Sequence, residues 1–330
     1  MRAVRVEETG KPGDWNKLVV AEVPRPEPAE GEVLVQVEAF SVNRADLLQR
    51  RGLYPPPPGA SPILGLDCAG YVVELGAGVS RWHVGDRVFA VVAGGGYGRY
   101  VVIPEDHLIP IPENLSFSEA AAAAEVFLVA FLNLFLEAGL QKGETLLLHG
   151  GGSGVGTAAV QLARESGACV IVTAATAEKI ERCLRLGASA GINYKTEDFA
   201  RKVRDLTDGR GVDVVLDWIG APYLGKHLDI LKPGGRLVII GLMGGHTGEI
   251  TLAPLLTKRL KIIGSVLRSR SREEKAELVR RFRSRVLPLL ASGSVKPVVD
   301  SVFNAEEVET AHRRMQEGGH FGKIVITWSD

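Results

Sequence analysis

A glycine-rich segment after a short apolar strand is the feature that most constrains the fold of this chain. Residues 146–148 are all leucine, and residues 150–156 then read Gly-Gly-Gly-Ser-Gly-Val-Gly. Glycines let the backbone turn sharply and expose N–H groups, and the helix that follows directs its positive end toward them. A second apolar strand at 169–173 follows at βαβ distance, so the pattern predicts a dinucleotide pyrophosphate site. Its expected residues are Gly151, Ser153, Gly154, Val155 and Gly156, with Ser153 in place of the second fingerprint glycine.

The residues after the second strand favour NADPH over NADH. An NAD site usually carries an acidic residue at the end of this strand, where it binds the ribose 2′-hydroxyl. Here the strand ends in Thr173-Ala174-Ala175, without an acid. Thr176 can donate a hydrogen bond to a 2′-phosphate and Lys179 brings positive charge, whereas Glu178 is interpreted as a first-turn helix acid. The alternative for Lys179 is an ordinary solvated helix lysine.

Composition argues against several classes of function. The 39 basic and 39 acidic residues give a formal net charge of zero, which argues against nucleic-acid binding or membrane-surface binding as the function. Three cysteines do not make a disulfide framework. The longest apolar segment, 120–136, contains Glu125 and Asn133, so we expect a buried helix rather than a membrane span. Without an apolar signal-peptide stretch at the N-terminus, a cytoplasmic protein is expected.

Strand and helix patterns predict two domains. The first third is rich in strand-like segments, with one short helix near 43–51. From Ser116, an expected N-cap that pairs with Glu119, strands and helices alternate as in a doubly wound parallel sheet. The expected strands of that sheet lie near 145–149, 169–173, 190–193, 213–217, 236–241 and 260–266.

The C-terminal tail is expected to return to the β-rich unit, because a helix at 272–291 is followed by two further strand patterns. We therefore predict an α/β fold with a Rossmann doubly wound parallel sheet over 123–267. The β-rich domain is then discontinuous, with residues 1–122 and 268–330.

Several runs resemble the medium-chain dehydrogenase/reductase superfamily, and within it the zinc-independent, zeta-crystallin-like quinone oxidoreductases. The Leu242–Gly245 and Leu267–Arg270 runs are most similar to the tumour-suppressor-inducible type. The matching segments are 43–46, 52–56, 65–70, 84–88, 94–96, 153–156, 186–188, 193–194, 241–245, 267–270 and 322–325. The resemblance spans nearly the whole chain and implies a GroES-like β-rich domain.

The resemblance also bears on zinc. Zinc-dependent members use a cysteine and a Gly-His-Glu run as ligands, but here Asn43 lies in the first ligand region and Gly65-Leu66-Asp67 replaces the run. The seven histidines show no ligand-spaced pair in the sequence, so no metal is expected. Without a Lewis acid, the implied reaction is hydride transfer from NADPH to an already electrophilic quinone, in the cleft between the domains. The alternatives are an NADPH-dependent 2-alkenal or enone reductase and a non-enzymatic NADPH-binding sensor or structural protein.

The resemblance implies roles for individual residues. Tyr54 would lie near the nicotinamide and the acceptor, where it could stack or donate, although it could also only brace the proline loop. Asn43 would face the ribose or the acceptor carbonyl, or serve as a helix N-cap. Asp46 would orient Asn43 or Tyr54, or simply serve in the first turn of that helix. Tyr194 would approach the adenosine phosphate, with a helix-start tyrosine as the alternative. Lys323 would lie near the cofactor, or be a strand-edge lysine.

Two further expectations come from strand ends and edges. Gly241, Leu242 and Met243 end the fifth strand, where ligands of open parallel sheets bind. The apolar sixth strand near 260–267 would lie at the sheet edge, which favours pairing with a second copy in a homodimer. The alternative is an edge covered by a loop. His149 is expected to satisfy local hydrogen bonds rather than act as a base.

Overall fold

The computed structural model describes residues 1–7 and 10–329, and the chain divides into two compact units. One unit comprises Met1–Leu128 and Leu267–Asp330, and the other comprises Val129–Val266. The first boundary between the units therefore falls at 128/129, inside a helix, whereas the sequence predicted it at 122/123. The second falls at 266/267 rather than at 267/268.

Strands and helices are numbered in chain order. The strands are β1 (Arg2–Glu7), β2 (Lys17–Glu22), β3 (Glu32–Ser41), β4 (Asp67–Leu75), β5 (Arg87–Val91), β6 (Tyr100–Pro104), β7 (Ile109–Pro110), β8 (Thr145–Leu148), β9 (Cys169–Ala174), β10 (Ala190–Asn193), β11 (Val212–Asp217), β12 (Leu231–Ile239), β13 (Lys261–Gly264), β14 (Val299–Asn304) and β15 (Lys323–Thr327). The α-helices are α1 (Arg44–Gln49), α2 (Phe117–Phe131), α3 (Gly154–Glu165), α4 (Ala177–Leu186), α5 (Phe199–Leu206), α6 (Ala221–Ile230), α7 (Ala253–Thr257), α8 (Arg272–Arg285), α9 (Leu287–Ser292) and α10 (Val308–Glu317).

The first unit is built on one mixed sheet. Its strands follow the order β14-β15-β3-β4-β5-β7, with β6 also paired to β3, while β1 and β2 form a separate antiparallel ribbon. The alternating Val33, Val35 and Val37 of β3 point into a buried apolar cluster. β15 pairs antiparallel with the end of β3, so the C-terminal segment completes the sheet that the N-terminal segment begins.

The prediction of one continuous helix over 272–291 is wrong. The structure has two helices, α8 and α9, that meet at Val286. Pro288 lies in the first turn of α9. Proline has no N–H to donate to the carbonyl of Ser284, and its ring crowds that carbonyl, so α8 cannot continue through it. The first turn of a new helix tolerates the same proline.

The apolar segment over 120–136 is helical, as predicted. The Ser116 backbone N–H and hydroxyl both donate to Glu119, and the Glu119 N–H donates back to Ser116, which is the expected capping box. α2 continues as a π-helical turn over Leu132–Glu137. The combined helix is long and apolar enough to cross a membrane, yet 72% of its apolar window is buried within the protein, as in a core helix.

The second unit is a parallel sheet in the order β10-β9-β8-β11-β12-β13. This order is that of a Rossmann fold, with the first and fourth strands, β8 and β11, side by side at the centre. The connection reverses direction between these two strands, and ligands of such sheets bind at their carboxyl ends. The sixth strand lies at the edge, as predicted, but is shorter than expected at Lys261–Gly264.

Candidate active site

The predicted pyrophosphate residues form the loop between β8 and α3 and the first turn of that helix. Gly150 adopts φ +54°, a conformation that favours glycine, and begins the turn. Ser153 is the N-cap of α3, and its Oγ accepts a hydrogen bond from the Gly156 N–H at 3.0 Å. A Cβ at Gly156 would lie 2.5 Å from the Gly150 carbonyl oxygen. The loop and the helix therefore approach each other at a distance that only glycine permits.

The N-cap position explains why a serine replaces the second fingerprint glycine. Gly154 and Val155 are the first residues of α3, so the loop lies at the positive end of a 12-residue helix. The serine side chain satisfies a helix N–H group, and a hydroxyl that accepts a hydrogen bond can still donate its hydrogen to an anion. Contact between Ser153 and a pyrophosphate remains a prediction.

Thr176, Lys179 and Tyr194 lie at the carboxyl ends of the neighbouring strands β9 and β10. Thr176 is the N-cap of α4, and its Oγ1 accepts from the Lys179 N–H at 3.2 Å. The Tyr194 N–H donates to the Ala174 carbonyl oxygen at 3.2 Å, and its side chain is exposed. Tyr194 belongs to the turn before α5, whose N-cap is Asp198, so it does not begin that helix. Contact of these three residues with a phosphate group remains a prediction.

The segment after β12 carries the other predicted cofactor residues of this unit. The Met243 N–H donates to the Trp218 carbonyl oxygen at 3.0 Å, which holds residues 241–243 beside the segment that follows β11. A Cβ at Gly241 would lie 3.0 Å from the Trp218 Cβ, so a larger residue would crowd this pairing. Leu242 and Met243 are about half exposed, at 48% and 57%. They therefore offer apolar surface at the carboxyl edge of the sheet.

A buried histidine pair lies beneath the glycine loop. His149 Nε2 lies 2.8 Å from His227 Nε2, and His149 Nδ1 lies 3.1 Å from Thr173 Oγ1. Burial lowers the pKa of His227 to about 3 and that of His149 well below its usual range, so both rings are neutral. His227 Nδ1 is buried without a hydrogen-bond partner, and we assign it as the unprotonated nitrogen because buried N–H groups are rarely left unpaired. The expectation that His149 satisfies local hydrogen bonds is confirmed.

The same pair corrects the inference that the histidines offer no set of metal ligands. His149, Asp217 and His227 bring potential ligand atoms within 4.8 Å of one another. However, Asp217 accepts from the N–H groups of Ile219 and Gly220 at 2.8 and 2.9 Å, and the two histidines bond each other. A metal would have to break the histidine pair and leave the His227 Nδ1–H buried without an acceptor, so this donor set does not fit one.

Asn43 lies in a buried cluster of the first unit, with its amide bonded on both sides. Its Nδ2 donates to Asp67 Oδ2 at 2.7 Å and to the Ser41 carbonyl oxygen at 3.2 Å. Its Oδ1 accepts from Lys323 Nζ at 2.5 Å. Asn43 is also the N-cap residue of α1, which agrees with the alternative interpretation. Since both amide N–H groups are already used, donation from Asn43 to an acceptor carbonyl would require a change in these bonds.

Lys323 is not a strand-edge lysine, and that alternative is wrong. β15 lies between β14 and β3, and the side chain is only 4% exposed. The ammonium donates to the Val42 carbonyl oxygen at 3.0 Å and lies 3.6 Å from Asp67 Oδ2. Lys323 therefore carries a positive charge into the interior of the first unit.

Asp46 orients the backbone of Asn43. Its Oδ2 accepts from the Asn43 N–H at 2.8 Å and from the Tyr97 hydroxyl at 3.1 Å, and its Oδ1 accepts from the Gly65 N–H at 3.2 Å. Burial, the largest cause, raises the pKa of Asp46 to about 7. Among the described residues, none of its hydrogen bonds reaches Tyr54. Of its predicted roles, orientation of Asn43 and service in the first turn of α1 both match the geometry, because Asp46 is the third residue of that helix.

Tyr54 is held by Arg268, which lies in the matching segment 267–270 and for which the sequence predicts no role. The Arg268 guanidinium lies 5.0 Å from the centre of the Tyr54 ring. It also donates to the Ala93 carbonyl oxygen at 2.8 Å and to Gln49 Oε1 at 2.6 Å. A buried, bonded guanidinium over an aromatic ring restricts that ring, so the Tyr54 side chain has a defined position.

Two family descriptions match this chain, an alcohol dehydrogenase GroES-like domain over residues 29–113 and a zinc-binding dehydrogenase over residues 154–284. A quinone oxidoreductase of Rattus norvegicus is 33% identical over 328 residues, covering 99% of this chain and 97% of that protein. The solved structure of Escherichia coli quinone oxidoreductase complexed with NADPH superposes with a TM-score of 0.86 at 30% identity, covering 99% of this chain and 100% of that one. The CurK enoyl reductase structure superposes with a TM-score of 0.87 at 30% identity, covering 99% of both chains.

The match to a zinc-binding dehydrogenase raises the question of whether the residues at Asn43 and Asp67, in the region of the family's metal ligands, could hold zinc. That region holds the amide of Asn43, the carboxylate of Asp67 and the ammonium of Lys323, which lies within 2.5 Å of the amide oxygen. An ammonium repels a divalent cation and cannot act as a ligand while it is protonated. The residues present therefore do not fit a catalytic zinc at this place.

Gly156→Ala is expected to reduce both stability and nucleotide affinity. The added Cβ would meet the carbonyl oxygens of Gly150 and Gly151 at 2.5 and 2.7 Å, so the backbone of the loop must shift. We expect NADPH affinity, measured by fluorescence titration, to fall by about tenfold or more, because the loop N–H groups would be misaligned. Gly225→Ala in α6 is the control, since nothing lies within 4 Å of its added Cβ. Equal NADPH affinity in both variants would contradict the close-approach argument.

Glu125→Gln is expected to stabilise the protein at high pH. Burial, more than the opposing charge of Lys323, raises the pKa of Glu125 to about 7, so the folded state favours the protonated carboxyl. Stability from this group is present below its unfolded pKa of about 4 and is lost as pH rises toward 7. Chemical unfolding should show the variant more stable by about 3 kcal/mol at pH 8, and the gain should vanish near pH 4. The exposed control Glu113→Gln should show no such trend, and a pH-independent difference at Glu125 would refute the assignment.

Proposed function

Because the chain belongs to the medium-chain dehydrogenase/reductase superfamily, and is thus an oxidoreductase, we propose that it is a zinc-independent NADPH:quinone oxidoreductase. The observation that carries this proposal is the cluster of Asn43, Asp67 and Lys323 in the metal-ligand region. With an ammonium there, a ketone or alcohol has no Lewis acid to polarise it. A quinone needs no such help, because the accepting ring becomes aromatic on reduction.

When bound, NADPH supplies a hydride, and the acceptor takes up that hydride and one proton to become a hydroquinone. The residues of the chain bind and orient the reactants. The loop N–H groups and the positive end of α3 would bind the pyrophosphate, and Ser153 would donate to it. Tyr54 would stack on the flat acceptor or donate its phenolic hydrogen to the oxygen that gains negative charge.

The proposed preference for NADPH over NADH rests on the residues at and after the carboxyl end of β9. Ala174 ends this strand without an acidic side chain, and Glu178 lies in the first turn of α4 within 4.0 Å of Arg182. Thr176, Lys179 and Tyr194 would surround a 2′-phosphate at the positive end of α4.

Lys179→Ala should weaken NADPH binding without weakening NADH binding. The lost charge-assisted contact with the 2′-phosphate should raise the Kd for NADPH about tenfold, while the Kd for NADH changes by less than about twofold. Lys142→Ala is the matched control. This exposed lysine precedes β8 and therefore lies at the amino ends of the strands, away from the predicted nucleotide site. Equal losses for the two nucleotides would count against a phosphate contact, and comparable wild-type Kd values for both would remove the NADPH preference.

The Tyr54→Phe variant distinguishes hydrogen-bond donation by the Tyr54 hydroxyl from stacking of its ring on the acceptor. If the hydroxyl donates to the acceptor, kcat should fall by about tenfold or more while the KM for the quinone changes little, because the ring still stacks. Tyr71→Phe, on β4 and packed edge-on against Phe117, is the control. Unchanged kinetics in Tyr54→Phe would leave the phenol a stacking or packing role only.

A 2-alkenal or enone reductase is the second candidate, and the superposition on an enoyl reductase favours it. An enone accepts hydride at carbon and a proton beside the carbonyl, so the same bound nucleotide and Tyr54 could serve it. The deciding assay follows the loss of nicotinamide absorbance. NADPH and NADH are compared as hydride donors, and an ortho-quinone, a para-quinone and a simple enal are compared as acceptors. Quinone turnover supports the first proposal, and turnover with the enal alone supports the second. Tight NADPH binding without any turnover would favour a sensor or structural role.

We also propose a homodimer formed through the edge of the parallel sheet. Ile262 on β13 and Val266 just beyond it are exposed, at 38% and 52%. An apolar edge strand of this kind is usually covered by another chain or segment. Light scattering that gives the mass of a monomer would exclude this assembly.

A further inference from the structure

We infer that Lys323 is a positioning residue whose buried ammonium takes the place of a metal cation in the first unit and, through Asn43 and α1, fixes the position of Tyr54. The inference rests on the proposed function only where it concerns the reduction of an acceptor. The ion pair between Lys323 and Asp67 can itself be tested without any substrate.

The ammonium is surrounded by oxygen atoms from the segment that joins β3 to α1 and from β4. It donates to the Val42 carbonyl oxygen at 3.0 Å and to Asn43 Oδ1 at 2.5 Å, and it lies 3.6 Å from Asp67 Oδ2. Two of the three N–H donors of the lysine side chain thus form hydrogen bonds, and the Asp67 carboxylate lies at ion-pair distance. The backbone places the side chain there, because the Val42 N–H donates to the Ile324 carbonyl oxygen at 2.9 Å.

Asp67 supplies the opposite charge and is completely buried. Its two oxygens accept from the Ser41 N–H at 2.6 Å, the Ser41 hydroxyl at 2.5 Å and the Asn43 amide at 2.7 Å. A buried carboxylate needs this number of donors, together with a nearby cation, to offset the loss of water. Without Lys323 the carboxylate would keep its donors and lose its compensating charge.

A chain of contacts leads from this pair to Tyr54. Asn43 begins α1, and Gln49 is the last residue of that helix. Gln49 Oε1 accepts from Arg268 at 2.6 Å, and Arg268 lies over the Tyr54 ring at 5.0 Å. Because α1 is one rigid turn and a half, a shift of Asn43 would move Gln49 and with it the guanidinium that holds the ring.

The test uses Lys323→Met, which keeps the length of the side chain and removes its charge. We expect kcat/KM for the quinone to fall by about tenfold or more, while the Kd for NADPH changes by less than about twofold. Lys17→Met, an exposed lysine on β2, is the matched control. A large rise in the NADPH Kd with unchanged acceptor kinetics would mean that Lys323 contacts the nucleotide instead, and would overturn the inference.

A double-mutant cycle tests whether Lys323 acts through Tyr54. If it does, adding Tyr54→Phe to Lys323→Met should lower kcat/KM by much less than Tyr54→Phe does alone. Fully additive losses would show that the two residues act independently, and would refute the positioning role. A general loss of packing would not produce this selective coupling.

The charge pair is tested separately by unfolding of Lys323→Met, Asp67→Asn and the double variant. We expect the double variant to be more stable than Lys323→Met, because it no longer buries an uncompensated carboxylate. A double variant no more stable than Lys323→Met would contradict the pairing. Zinc bound one-to-one by the wild type and lost in Asp67→Asn would also contradict it. Since unfolding needs no acceptor, failure of the proposed function and failure of this inference give different results.

Discussion

One buried ammonium–carboxylate pair is the constraint on which the organisation of the first unit depends. Moving two charges out of water costs several kcal/mol per ion, so Lys323 and Asp67 are tolerable only with nearly every donor and acceptor matched. Ser41, Val42 and Asn43 provide those partners, and they lie where β3 ends and α1 begins. The last strand of the chain is therefore bound to the segment that leads to Tyr54, which gives a physical reason for a discontinuous domain.

The second unit depends on a different constraint, the close approach of backbone to backbone at the glycine loop. Gly156 meets the Gly150 carbonyl oxygen at a distance that excludes a Cβ, and Ser153 closes the first turn of α3. Beneath the loop, Thr173 accepts from the Gly150 N–H at 3.2 Å and contacts the neutral His149–His227 pair. The loop is thus held from below by uncharged hydrogen bonds, which leave the positive end of the helix open to an anion.

The sequence predicted those parts of the fold that depend on local patterns. The glycine loop, the parallel sheet with its edge strand and the capping box at Ser116 each follow from residues close in the chain. Contacts between distant segments were not predictable in this way. The burial of Lys323 depends on β15 inserting beside β3, and the His149–His227 pair depends on α6 packing near the end of β8. The break between α8 and α9 did have a local sign in Pro288, which the apolar periodicity around it obscured.

We propose that this chain transfers hydride to a quinone without a metal. The most direct test measures NADPH oxidation with a para-quinone after exhaustive chelation, together with the zinc content of the same sample. We expect turnover to be unchanged when the zinc-to-protein ratio approaches zero. Loss of turnover on chelation, restored by added Zn²⁺, would contradict it.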